Sequence, residues 1–498
     1  MVQSIPDAAS KAPEPEPQPQ PQAWGHPRQL WMLLAVTLGL NFSFYGFRAY
    51  LAPYLASFYS ALGPAAAQRQ ADLLSSGFLA LMYATPIVGG YIADKLLGEA
   101  RALALSLWLM SAALALMASP ALEGFELGMA CYALSAGLNI TLTVLIGRNY
   151  ASTDPRRDGA YTLYYLAINT GAFIAPLICA DLVGRHFGYR WGFLAAAGGN
   201  LLAAILFQWR QHTLAAVLPH RGAASSRWLV PAIIAAIAIL AYPLALLLSR
   251  PQVLSIAMYA LMGLLVGYFI IGCIRRGERV QTQRYLALLL LFVALVLFWA
   301  LSFQGVTSLN FFARDYVRAP FDYSLFQSAN PLYILLFAPV LAMLWPWLGR
   351  HGQDPSTPRK FGIGLLLVAL SYGLLVAGIH YGLGAQGKLS WVILAGCYLL
   401  QTLGELSLSP IGYSLVGLLA APEETSLAMG GWFFGVALAY ELAGWIATRT
   451  VATGTGAHAA GIAAYAEVYG ELFLMSLAVG LAYLLAAPWI RRLMHGVH

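Results

Sequence analysis

Three charged residues lie in stretches of sequence that are otherwise apolar. Arg48 follows "LGLNFSFYGF" and precedes "AYLAPYLA", Glu405 lies between "CYLLQTLG" and "LSLSPIGYSLV", and Glu441 interrupts "FFGVALAYELAGWIA". In the middle of a bilayer such a charge costs about 2.5–3.5 kcal/mol on insertion scales, so each needs water, a partner or a neutralising proton. A carboxylate there binds an ammonium group or carries a proton, and an arginine there binds an anionic group. The plainer readings are an arginine that snorkels to the interface and an acid satisfied by a neighbouring carbonyl. Arg48 and Glu405 are expected to face a polar cavity. Glu441 fits proton coupling and helix packing equally.

Other chemistries lack their residues. No HExxH, GxSxG or Cys/His cluster is present, so neither a hydrolase nor a metal site is expected. Cys131, Cys179, Cys273 and Cys397 all fall inside apolar stretches without paired spacing, which argues against a disulfide framework. No cofactor is expected.

The elements that must position these charges are membrane-spanning helices. Hydrophobic residues make up 60% of the 498 positions and charged residues 10%, against roughly a quarter charged in soluble domains. The apolar residues form fourteen stretches of about 20, the length that crosses a hydrocarbon core of roughly 30 Å. Most of the 28 Lys and Arg residues fall in loops on one side, which predicts cytoplasmic termini and explains the net charge of +7 without a nucleic-acid partner. Residues 1–28, with "APEPEPQPQPQ", are expected to form a disordered cytoplasmic tail. The aliphatic segments near 228–248 and 253–273 read as a lipid-facing accessory pair. Removing them leaves six plus six helices, the arrangement of two bundles that rock about a central site.

Several strings in order resemble the proton-dependent oligopeptide transporter family of the major facilitator superfamily. They run from "FYGFRAYLAPYL" through "GGYIADKLLG", "RDGAYTLYYLAINTGAFIAP", "FWALSFQGVTSLNFFA" and "FQSANPLYILLFAP" to "LLQTLGELSLSPIGYS". The resemblance implies an all-α polytopic membrane protein of the major facilitator fold, with twelve core helices in two six-helix bundles and two accessory helices between them. The expected divisions are an N-terminal bundle at 29–212, a linker with the accessory pair at 213–283, and a C-terminal bundle at 284–498.

By the same resemblance, substrate contacts are expected at Tyr45, Arg48, Tyr83, Tyr165, Asn169, Gln304, Asn330, Glu405, Ser409 and Trp432. Asn41, Asn139 and Phe303, also expected to contact substrate, occupy places where the family usually carries charges, and the positions of the family's first-helix Glu-x-x-Glu-Arg-Phe run hold Thr37, Leu40, Asn41 and Phe42. With both first-helix acids gone, Glu405 and Glu441 become the proton-coupling candidates. Aromatic residues including Tyr164, Tyr165 and Phe303 favour a bulky amphipathic ligand. Asp94, Lys95 and Arg101 match the superfamily's gating loop, and Arg157 with Asp158 forms a similar cluster before the fifth helix.

The expectation is therefore a monomeric, multi-pass transporter of the bacterial inner membrane. It would move a peptide-like or peptide-derived small molecule by alternating access, with a coupling proton and the lipid bilayer as its other partners. Transport or export of a non-peptide metabolite such as a siderophore, and a sensor that binds without transporting, are the rival readings.

Overall fold

The computed structural model describes residues 22–151, 154–216, 218, 228–384, 386–421, 424–451 and 458–496. It is almost entirely helical, and fourteen of its helices are long and apolar enough to cross a membrane. In chain order they are α1 (Arg28–Arg48), α2 (Pro64–Leu97), α3 (Glu99–Met117), α4 (Leu122–Arg148), α5 (Arg156–Phe187), α6 (Tyr189–Ala215) and α7 (Leu229–Leu248). There follow α8 (Pro251–Arg276), α9 (Arg279–Tyr316), α10 (Tyr323–Arg350), α11 (Thr357–Tyr381), α12 (Trp391–Leu419), α13 (Thr425–Arg449) and α14 (His458–Leu493).

The number of spans equals the number of apolar stretches, but most of the helices start earlier than hydropathy alone indicates. Hydropathy marks the segment matched to lipid, whereas the backbone ladder continues into the aqueous flanks. Residues 1–21, most of the expected tail, lie outside the described residues. The remainder of that segment is folded: Gln22–Ala23 pairs with His26–Pro27, and His26 Nδ1 lies 2.7 Å from the Tyr150 hydroxyl. Trp31 donates to the Ala23 carbonyl at 3.0 Å, which ties the turn to α1.

Within the first six helices α1 packs on α5 and α6, and α3 on α4 and α6. Glycine sets two of these approaches. A Cβ at Gly171 of α5 would stand 2.5 Å from the Leu38 carbonyl of α1, and one at Gly89 of α2 would overlap the Gly137 carbonyl of α4. In the second set α11 packs on α12 and α14, while α9 contacts α11 and α13. The sets meet through α2 against α13 and α5 against α10.

The end where α1 finishes and α2 begins is closed by hydrogen bonds between the two sets. Asn310 Nδ2 donates to the Ala49 carbonyl at 3.0 Å, Gln68 to the Tyr465 hydroxyl at 3.0 Å, and Arg69 to the Val451 carbonyl at 3.2 Å. The hydroxyls of Tyr189 and Tyr323 lie 3.1 Å apart.

The accessory pair exposes most of its aliphatic surface, as expected of a lipid-facing hairpin. Three of its polar groups reach buried acids. Ser249 Oγ donates to Glu126 of α4 at 2.8 Å, Ser255 Oγ to Glu441 of α13 at 2.9 Å, and the Tyr268 hydroxyl to Glu424 at 3.3 Å.

Candidate functional site

Tyr45 and Arg48 are three residues apart on α1 and therefore share a face. Arg48 closes the helix, with its Cζ 5.1 Å from the Tyr45 ring centre and 5.6 Å from that of Phe44, within cation–π range. Among the described residues its Nε has no well-aligned hydrogen-bond partner. Opposite, α9 leaves α-helical geometry at a 3₁₀ turn, Phe303–Val306, followed by Thr307 at φ −115° and ψ −106°. The break frees the Gly305 carbonyl, which accepts from Gln327 Nε2 at 2.5 Å and from the Tyr398 hydroxyl at 3.2 Å. Irregular backbone at membrane depth is tolerated where protein satisfies it in this way.

On α12, Tyr398, Thr402 and Glu405 lie four and three residues apart on one stripe. Glu405 accepts from Asn330 Nδ2 of α10 at 2.8 Å, and the same nitrogen lies 3.1 Å from Thr402 Oγ1.

These groups enclose a cavity of about 60 Å³, lined on one side by Tyr45 and Arg48 and on the other by Gln327, Asn330, Thr402 and Glu405. Trp299 and Phe303 form part of its apolar wall. Phe303 stacks on Tyr440 at 3.7 Å and on Trp299 at 5.0 Å, and Tyr440 meets Tyr83 in a tilted contact at 5.4 Å. Arg48 and Glu405 face this one space without forming an ion pair. The arrangement can hold a small molecule with an anionic group at one end and an ammonium at the other, its body against the ring stack.

Of the residues expected from sequence, Tyr45, Arg48, Phe303, Asn330 and Glu405 line the cavity, and Tyr83 adjoins it through the stack. Gln304 does not. It is fully buried, donates to the Ala443 carbonyl at 3.0 Å and accepts from Ser308 at 2.6 Å, so it pins α9 to α13. Asn41 and Asn169 turn back on their own helices, donating to the Thr37 and Tyr165 carbonyls. Asn139 lies 3.8 Å from Met110 Sδ on α3. Tyr165 is exposed, and Trp432 belongs to a separate apolar pocket with Phe292 and Leu265. Ser409 is on α12, but its side chain lies outside the described residues.

Glu441 is away from the cavity, buried between α13 and the accessory helix that supplies Ser255. Trp299, Gln327, Tyr398, Gln401 and Thr402 were missed. The spacing of Tyr398, Thr402 and Glu405 was the available signal, because one acid on a spanning helix identifies which face its polar neighbours share.

At the opposite end, the ion pairs form beside the expected gating residues. Arg148 meets Glu99 at 2.5 Å, joining α4 to α3, and Arg156 meets Asp154 at 2.8 Å. Hydrogen bonds from Arg156 hold the Asp154 carboxyl below its usual range. Nearby, burial raises the Tyr150 hydroxyl to about 12. Asp94 and Arg101 are engaged, whereas Lys95 and Asp158 are exposed and Arg157 Nε is buried without a partner.

A family model described as the POT family matches residues 111–463. The "Uncharacterized transporter YclF" of Bacillus subtilis (strain 168) is 32% identical over 497 residues, covering 95% of this chain and 96% of the relative. Dipeptide and tripeptide permease A of Chromobacterium violaceum is 30% identical over 483 residues, 94% of each chain. A crystal structure of a POT family transporter in complex with 5-aminolevulinic acid is similar at a TM-score of 0.78 and 27% identity, over 95% of this chain and 98% of that one.

Proposed function

The chain belongs to the POT family, and from that premise we propose that it carries an amine-bearing, peptide-like or peptide-derived small molecule across the bacterial inner membrane by alternating access. The observation that carries the reading is the pair of opposite charges, Arg48 and Glu405, held apart across one cavity. Two charges left unpaired in a low-dielectric space favour a ligand that supplies both partners. The relatives' names point the same way: one is a dipeptide and tripeptide permease, and another is held with an amino acid that has an amine at one end and a carboxyl at the other.

In this reading Glu405 receives the amine or, between substrates, the coupling proton, and Arg48 receives the anionic group. The stack of Trp299, Phe303 and Tyr440 contacts the body of the substrate. Glu441 anchors the accessory hairpin; a part in coupling would show as a changed pH response in Glu441→Gln. The bundles at 29–212 and 284–498 move about the cavity as a monomer, with both termini in the cytoplasm and the α1–α2 end outside. At about 60 Å³ the cavity is smaller than the roughly 300–1,000 Å³ of ligand pockets, so it widens to take a substrate.

The test is a thermal-unfolding screen of purified protein against peptides, modified peptides, amines and siderophores, followed by counterflow in liposomes. A ligand at 100 times its Kd should stabilise by about 2.7 kcal/mol. Stabilisation and counterflow by amine-bearing molecules, weakened in Glu405→Gln, support the proposal. Stabilisation by molecules without an amine, unchanged in Glu405→Gln, would remove it.

A further inference from the structure

Asp72 of α2 is completely buried, and among the described residues no well-aligned hydrogen bond reaches either carboxylate oxygen, the Gln68 amide being its nearest polar neighbour. It lies eight residues beyond Pro64, about 12 Å along the helix at 1.5 Å per residue, in the seam where the first set of helices meets the second. Contacts across the seam bracket it. One turn earlier Gln68 and Arg69 reach Tyr465 and Val451, and one turn later Ser76 meets Gly444 closely enough that no side chain fits there. Five residues along, Gly77 faces Glu441.

The charged and titratable groups around Asp72 leave it without a counter-ion. Arg314 of α9 acts on it from across the seam, but that guanidinium is already spent on Asp315 at 2.8 and 3.0 Å. Tyr465 of α14 takes the Gln68 amide, Glu441 of α13 is bound by Ser255, and Glu126 of α4 is bound by Ser249 and Tyr59. An ionised carboxylate enclosed with one neutral amide beside it and no counter-ion is strongly unfavourable, whereas one reached by water is not.

We propose that Asp72 is a proton-binding gate residue: the α1–α2 end closes only when one Asp72 oxygen has taken a proton from the water at that end, and opening returns that proton to the same water. Closing forms one O–H bond and opening breaks it, so no further reactant is needed. In the transporter reading, on which only this consequence rests, acidity at the outer face favours the closed outer end. This residue is additional to Glu405, which lies on the cavity and not in the seam.

The test reads closure without substrate. Ala71 is buried beside Asp72, so an Ala71→Cys reporter is placed in full-length protein whose four native cysteines are replaced by alanine. It is labelled in liposomes with a membrane-impermeant maleimide from pH 5 to 8, equal on both sides. Rates are divided by those of the same protein unfolded, which removes the thiol's own pH dependence. Linkage of one proton to closing predicts a normalised rate that rises with pH by up to about tenfold per unit, and a flat profile in Asp72→Asn. A flat profile in the Asp72 protein itself overturns the proposal, even if the variant fails to fold, and so does an unchanged slope in a folded variant. Counterflow on the same liposomes separates the two readings: its absence removes the transport reading and leaves the gate, and a flat labelling profile with counterflow present does the reverse.

Discussion

Glu405 and Arg48 were legible as functional because each is a charge in an apolar stretch, and the membrane makes that combination costly. Their partners carried no such mark. Asn330 and Thr402 are neutral, and only the fold brings them within 2.8 and 3.1 Å of a shared contact. If Glu405 holds a substrate amine, Glu405→Gln exchanges a charge-assisted bond worth about 1.5–3 kcal/mol for a weaker neutral one. Affinity measured by thermal shift or calorimetry should fall about tenfold or more, with the protein still folded. Equal affinity would put the amine elsewhere. Asp154 gives a second prediction at this scale. Its folded pKa is depressed, so the stability it lends is present above its unfolded value of about 3.9 and is lost only as pH falls through the lower folded value. Asp154→Asn should therefore leave the pH profile of counterflow between pH 5 and 8 unchanged, and a shifted profile would contradict the assignment.

Elements show where helix periodicity stops being informative. The break in α9 has no proline; it is held by Gln327 and Tyr398 reaching the Gly305 carbonyl from α10 and α12. The hairpin of α7 and α8 looked featureless in sequence because its serines and tyrosine are few. Its partners are the buried acids Glu126, Glu424 and Glu441. Ser255→Ala leaves one oxygen of the Glu441 carboxylate unsatisfied, which costs about 1–3 kcal/mol and should lower the melting temperature without altering substrate affinity. An affinity loss with unchanged melting would instead tie Glu441 to the cavity. At Gly89, alanine overlaps the Gly137 backbone, and overpacking of about 1–3 kcal/mol predicts reduced yield and thermal stability for Gly89→Ala. Wild-type stability would mean that α2 and α4 separate freely.

At the scale of the whole molecule the closed end is the feature with most consequence. Tyr189 and Tyr323 meet across it at 3.1 Å, in addition to the seam of α2 with α13. If transport alternates access, a short bifunctional thiol reagent joining Tyr189→Cys to Tyr323→Cys should abolish counterflow, and cleaving the linker should restore it. Unimpaired counterflow in fully linked protein would exclude movement at this end.

The sequence alone determined the solvent, the number of spans and the identity of the intramembrane charges, because hydropathy and charge cost are properties of the chain itself. The cavity strings also carried enough order to suggest the family that the comparisons then identified. Which face each helix turns to the cavity was decided only by tertiary structure. Lipid is about as apolar as a helix interface, so an apolar face is consistent with either surrounding. Thus Gln304 lies on the expected helix yet packs against α13, Glu441 meets the hairpin, and Tyr398 enters the site beside Glu405. Asp72 is the sharpest case: in sequence it is an acid near a helix start, and only the assembled seam encloses it without a counter-ion.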